Sequence, residues 1–339
     1  MAGRLGWSGW LGLLVGWVVL VGGRAGAAPF EPGQIFIAYN SNNIGVFADT
    51  ISTTGNLIGT INLSPSAFAA NPLSLAGGGV ALDESGNLYV TVQKLGDTNS
   101  NRGIIKINPA GNVALSIDGN TATIDFRGIA VRGGIIYVAS ESGVRRFNAT
   151  TGDAISPILA SGTIFRDVTL DPQGNLYALQ NDGVTKWSAG SISGSGTPLF
   201  SIPTEDPRAI VTDEDGNLYI TFATKKVVRK YSPTGSLLAT YSSPGGTGTL
   251  IGLDYDPGTQ RLFASHTGTG IGQILWIDRN ASSGSLMTAF GPTNLSGVRW
   301  LALYPTPEPS VALLVLAGGA ALWWRRRQGG RESVHRKRE

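Results

Sequence analysis

The chain has no cysteine. A disulfide framework and thiol chemistry are both excluded, and an exported chain without cysteine avoids random cross-links. Histidine is nearly as scarce. His266 and His335 are the only two, and His335 lies in the C-terminal tail. Charged residues make up 14% of the chain, and no sustained i, i+3, i+4, i+7 apolar stripe runs between residues 30 and 305. Long amphipathic helices are therefore not expected. No G-x-S-x-G elbow is present, and the Walker and dinucleotide glycine patterns are missing where they would count. These gaps leave no recognisable catalytic set, and no cofactor is expected.

Glycine is what the chain has in excess, 48 of 339 residues. Much glycine with little charge suits many turns and short buried strands. The net charge of +3 is a property of the ends. Arg325, Arg326, Arg327, Arg331, Arg336, Lys337 and Arg338 crowd the tail, and Arg4 and Arg24 lie near the start. Without them the middle is mildly acidic, which argues against a nucleic-acid partner.

The middle repeats itself. "DESGNLYV" begins at Asp83, "DPQGNLYA" at Asp171 and "DEDGNLYI" at Asp213. Aligned on the aromatic, Tyr89, Tyr177 and Tyr219 are joined by Tyr137, Phe263 and Phe36, spaced roughly forty to fifty residues apart, a repeat period. Each unit reads as four short strands. An apolar strand ends at Asp, a glycine turn follows, and an aromatic strand and two more strands come after. Asp accepts turn N–H bonds, Gly supplies positive φ and Asn tolerates it, so the phrase is a hairpin connector rather than a calcium loop, which needs more oxygen ligands. No metal site is expected.

Four strands per unit predict an all-β, six-bladed β-propeller. Small residues suit the innermost strands, at Ala81, Ala130, Ala209 and Ala302. The first unit lacks its first strand. "VRWLALY", Val298 to Tyr304, matches "FRGIAVR" in pattern and should close the ring from the other end of the chain. The segment from Ser64 to Gly78 is long and irregular. The units resemble NHL-type repeats and the six-bladed group that includes gluconolactonase-like and strictosidine-synthase-like proteins, over residues 34–304.

The ends read as addresses. Residues 1–27 carry Arg4, an apolar run from Leu11 to Val21 and the small-residue pattern Ala25-Gly26-Ala27, as in a signal peptide. Near the other end stand Pro307-Glu308-Pro309, an apolar stretch from Val311 to Trp324 expected as a short membrane helix, and Arg325, Arg326 and Arg327. This order over 305–327 resembles a PEP-CTERM sorting signal. The resemblance implies signal peptidase and exosortase as processing partners. It also implies membrane contact before processing, and an envelope, surface or extracellular-matrix destination in a Gram-negative or cyanobacterial cell. Residues 328–339 form a basic tail, expected in the cytosol, beyond the point where that family usually stops.

Gluconolactonase-like enzymes hold a divalent metal with Glu, Asn and Asp side chains of the inner strands. Here Arg127, Arg166, Arg208 and Arg299 stand five residues before the turn position in four units, with Gly78 and Ile251 in the other two. Cations repel a metal ion, so the family's site is not carried over. Two roles fit these arginines. They form a collar for an anionic group, such as an acidic polysaccharide, because guanidinium forks match carboxylate, sulfate or phosphate. Otherwise they pair with nearby carboxylates, for which Asp125, Asp167 and Asp206 are placed. The tyrosines and Trp187, Trp276 and Trp300 read as packing, and His266 as a loop cap. The expected function is a non-catalytic surface or matrix binding protein. The alternative is a propeller hydrolase or lactonase whose site is not legible.

Overall fold

The structure, a computed structural model, describes residues 30–39, 43–47, 57–63, 73–74, 78–94, 102–118, 125–202, 205–245, 248–268, 272–290 and 298–305. The expected signal segment, the Pro307-Glu308-Pro309 motif, the apolar stretch and the arginine cluster lie outside these residues. Among the described residues there is no helix, and none therefore long and apolar enough to cross a membrane.

The chain forms six antiparallel sheets, one per repeat. Blade 1 takes its innermost strand, Leu301–Leu303, from near the C-terminus and the rest, Ile35–Tyr39, Asn43–Phe47 and Leu57–Asn62, from the start. Ile35, Phe36 and Ile37 pair with Leu303, Ala302 and Leu301, so the ring closes as the sequence pattern predicts. The innermost strands of blades 2 to 6 are Val80–Leu82, Phe126–Arg132, Asp167–Leu170, Pro207–Thr212 and Thr249–Asp256. Each innermost strand touches the next around the ring, and the last returns to the first. Blade 2 is the irregular one. Leu73–Ser74 and Val80–Leu82 both pair with Leu88–Lys94, so its inner edge is built from two pieces.

The repeated phrase is a hairpin connector in all three copies. Asp213 Oδ1 accepts from the amides of Asp215 and Asn217, and its Oδ2 accepts from the Asn217 side chain and from the Tyr219 hydroxyl at 3.0 Å. Asp83 with Tyr89, and Asp171 with Tyr177, repeat the arrangement. A lysine from the third strand lies over each ring: Lys106 over Tyr89, Lys186 over Tyr177 and Lys230 over Tyr219, at 5.2–5.4 Å from the centroids. The aspartates are thus occupied by turn donors, and the buried tyrosines lock each turn to its own blade. Burial, followed by the neighbouring aspartate, raises the hydroxyl pKa of all three.

What holds blade to blade is a second device, one residue after the arginine column. There the innermost strands meet almost backbone to backbone. The amides of Gly79, Gly128 and Gly252 donate to the carbonyls of Arg127, Arg166 and Arg299 on the next blade, at 2.8, 3.2 and 3.1 Å. Where blade 5 has Ala209, the Thr221 hydroxyl bridges instead, accepting from the Ala209 amide and donating to the Ile251 carbonyl. Where blade 4 has Asp167, its Oδ2 accepts from the Ile210 amide at 2.8 Å. A Cβ on Gly252 would stand 2.8 Å from the Arg299 oxygen and 2.9 Å from the Trp300 Cα. Glycine is required there by close approach, not by its dihedral angles. Gly252→Ala should therefore lower stability by about 2–3 kcal/mol, read as a lower urea midpoint at unchanged m-value; an unaltered midpoint would show that the blades are not wedged at this level.

Candidate functional site

The axis has two unlike ends. At one end the innermost strands begin, and there the structure places Arg127, Arg166, Arg208 and Arg299. Arg127, Arg166 and Arg208 occupy adjacent blades 3, 4 and 5, and Arg299 stands on blade 1, three blades from Arg166 around the ring. The collar is an arc of three with a fourth opposite, interrupted by Gly78 and Ile251.

Their partners differ from those expected. Arg208 does pair with Asp206, at 2.6 Å. Arg127 pairs with Glu141, at 2.6 Å, from the second hairpin of its own blade. Asp125 instead holds Arg102, and Asp167 turns toward the axis. Arg166 donates through Nε to the Asn181 side chain at 2.7 Å, a neutral partner. Burial, then the charges of Arg127 and Arg208 on either side, lower its pKa. Arg299 is exposed. Among the described residues these four guanidinium groups thus have two ion-paired carboxylates, Glu141 and Asp206, with exposed Asp182 beside Asn181, and the four keep a surplus of positive charge. Arg229 is neutralised by Glu205 at 2.7 Å on the same side, and exposed Lys225 adds to the surplus.

The cavity on the axis, about 540 Å³, belongs to the other end. All six innermost strands line it, but none of the four arginines does. The lining runs from Gly79 and Asp167, at the level of the backbone contacts between blades, to Asp83, Glu84, Tyr304 and Pro305 at the aspartate-turn end. The arginines therefore do not rim the cavity mouth.

Inside the cavity stand two carboxylates that the repeat pattern did not single out. Asp167 Oδ1 and Oδ2 accept from the amides of Val168 and Ile210, and Asp254 Oδ1 and Oδ2 from those of Tyr255 and Leu303, each at 2.8 Å. Each side chain therefore ties its own strand to the innermost strand of the next blade. Burial outweighs these bonds and pushes the Asp167 carboxyl up to about 8, with the Asp254 charge adding to the rise. Asp254 is pushed up to about 7, with Asp256 adding. The signal for both was present in the aligned columns. Asp167 stands among Gly79, Gly128, Ala209 and Gly252, and Asp254 among Ala81, Ala130, Val211 and Ala302.

Other sequence readings divide. Trp187 is buried, packed edge-on to Phe165 at 6.1 Å. Trp276 is half-buried under the Arg261 guanidinium. Trp300 is buried in the core between blades and also lines the axial cavity. His266 does not cap a loop. It is buried, neither ring nitrogen has a hydrogen-bond partner, and burial followed by Lys226 lowers its pKa. Its ring packs where Gly248 leaves room. Among the described residues no group of three His, Cys, Asp or Glu side chains is arranged to hold a metal ion.

No protein-family description matches the chain, and no curated protein does. Solved structures do resemble it. A protein of unknown function from Bacteroides caccae is 12% identical over 80% of this chain and 98% of its own, with a TM-score of 0.55. A chain of the nidogen/laminin complex is 14% identical over 80% and 99%, with a TM-score of 0.60. Virginiamycin B lyase from Staphylococcus aureus is 15% identical over 77% and 84%, with a TM-score of 0.49. At such identities the likeness is one of fold, and one fold hosts many activities. The chain is a six-bladed, four-stranded β-propeller.

Proposed function

We propose that this propeller is an exported, non-catalytic binding protein of the cell envelope, surface or extracellular matrix, and that its arginine face meets an anionic polysaccharide. The observation that carries the reading is the arc of Arg127, Arg166 and Arg208. Arg166 sits between two like charges and holds only a neutral side chain. An incoming carboxylate or sulfate relieves that repulsion and takes charge-assisted hydrogen bonds. None of the four arginines lines the cavity and they are spread over four blades, so the fitting ligand is a chain laid across the face, touching the arc and Arg299 in turn. Export and sorting rest on the order of motifs at the two ends, and exosortase and signal peptidase are the partners that order implies.

The test is titration of the full chain with polygalacturonate and, as the uncharged reference, dextran. Polygalacturonate should bind with an affinity that falls as salt rises, and dextran should not bind. Arg166→Ala with Arg299→Ala should weaken polygalacturonate binding at least about tenfold and flatten the salt dependence. Unchanged affinity in the double variant removes the arginine face from the function.

A further inference from the structure

The axial cavity is lined by none of the four arginines and carries acidic side chains instead. Its volume is in the range that encloses small ligands. Asp167 and Asp254 stand in its wall, and each feels burial as well as a neighbouring carboxylate. Trp300 and Tyr304 supply aromatic surface to the same wall. The cationic side chain in the lining, Arg132, is committed elsewhere, since both of its terminal nitrogens donate to the carbonyls of Asp171 and Pro172 on the next blade. At the mouth, Asp83 is occupied by its turn, and Glu84 is exposed.

An anion entering here meets carboxylates and no available cation. A neutral polyol finds acceptors but does nothing to offset the charge the two carboxyls gain as they ionise. A cation with an apolar coat satisfies both features. Its charge offsets the carboxylates of the wall, and its coat lies against the aromatic side chains of the lining, whose rings attract cations through their quadrupoles. We infer that the axial cavity binds a small organic ammonium ion, seated between the Asp167 and Asp254 carboxylates and the aromatic wall of Trp300 and Tyr304.

Choline and its uncharged isostere 3,3-dimethyl-1-butanol are the probes, titrated calorimetrically into the full chain. Choline should bind at least about tenfold more tightly than the isostere, because only choline engages the carboxylates and the ring quadrupoles. Choline's charge does not titrate, so its affinity should rise from about pH 6 to about pH 8 as the carboxyls ionise, with protons released to the buffer. Ala81→Leu and Ala130→Leu thicken the wall at half-buried positions that line the cavity. Either, where it melts cooperatively, should weaken choline binding at least about fivefold by taking up the space. Absence of saturable choline binding, equal affinity for the two probes, or binding indifferent to a folded wall variant each overturns the assignment. If neither wall variant folds, the ratio between the two probes and its pH dependence on the unaltered chain decide it.

Discussion

A chain ended after residue 297 should lose cooperative unfolding altogether when compared with one ended at Pro305. The eight residues between those points include Val298, Leu301, Ala302 and Leu303, all at most 3% exposed. Burying each of the three larger side chains is worth about 1.5–3 kcal/mol, and a domain's whole net stability is only about 5–15 kcal/mol. Their loss also strips the neighbouring strand from Ile35, Phe36 and Ile37, which are fully buried, and removes the bonds from the Ala38 amide to the Trp300 carbonyl and from the Tyr304 amide to the Gln34 carbonyl. The Asp254 carboxylate loses the Leu303 amide as well. Far-UV circular dichroism during urea titration is the measurement. A shared midpoint for the two chains would mean that the ring does not depend on its closing strand.

The second large effect is a fall in stability with rising pH. Asp167 and Asp254 have folded pKa values above the ordinary carboxyl value of 3.8, at about 8 and about 7. Between those limits the folded chain holds protons that the unfolded chain has released. Their contribution is complete below about pH 4 and is lost as pH rises through about 7 to 8, at up to about 1.4 kcal/mol per pH unit for each carboxyl. His266 acts in the opposite sense. Its pKa is lowered by burial, so its contribution is lost as acid is added. Two carboxyls outweigh one histidine, so the chain should lose stability as pH rises from about 5 to about 8 and should level off by about pH 9. Asp254→Asn separates the cause. An amide presents an N–H where the carboxylate accepted one, so the variant should be less stable by about 1–3 kcal/mol in mild acid. It should also lose stability less steeply as pH rises. Urea midpoints from pH 5 to pH 9 that stay level in the unaltered chain would remove both carboxyls from this role.

The repeat made the architecture legible. Three near-identical aspartate turns, with an aromatic at a fixed offset, mark the start of each second strand, and the four-strand parse follows from turn chemistry that is local in sequence. Ring closure was legible too, because the first unit visibly lacks a strand and residues 298–304 have the missing pattern. The arginine column was legible as a recurrence. Of its partners only Asp206, which holds Arg208, was legible, because an arginine reaches past its sequence neighbours. Arg127 finds Glu141 rather than Asp125, and Asp125 holds Arg102 of the preceding blade.

By itself, then, the sequence determined the period, the blade and the strand that closes the ring, since hairpins and turns are set by residues a few positions apart. Only the tertiary structure decided that the arginines stand outside the axial cavity. The packing of successive blades depends on how near their backbones approach, and the approach is set by single glycines roughly forty to fifty residues from the carbonyls they touch. The same distance hid Asp167 and Asp254. A carboxylate on an inner strand reads locally as a surface residue, and it becomes a tie between blades only when the next blade brings up the amides of Ile210 and Leu303.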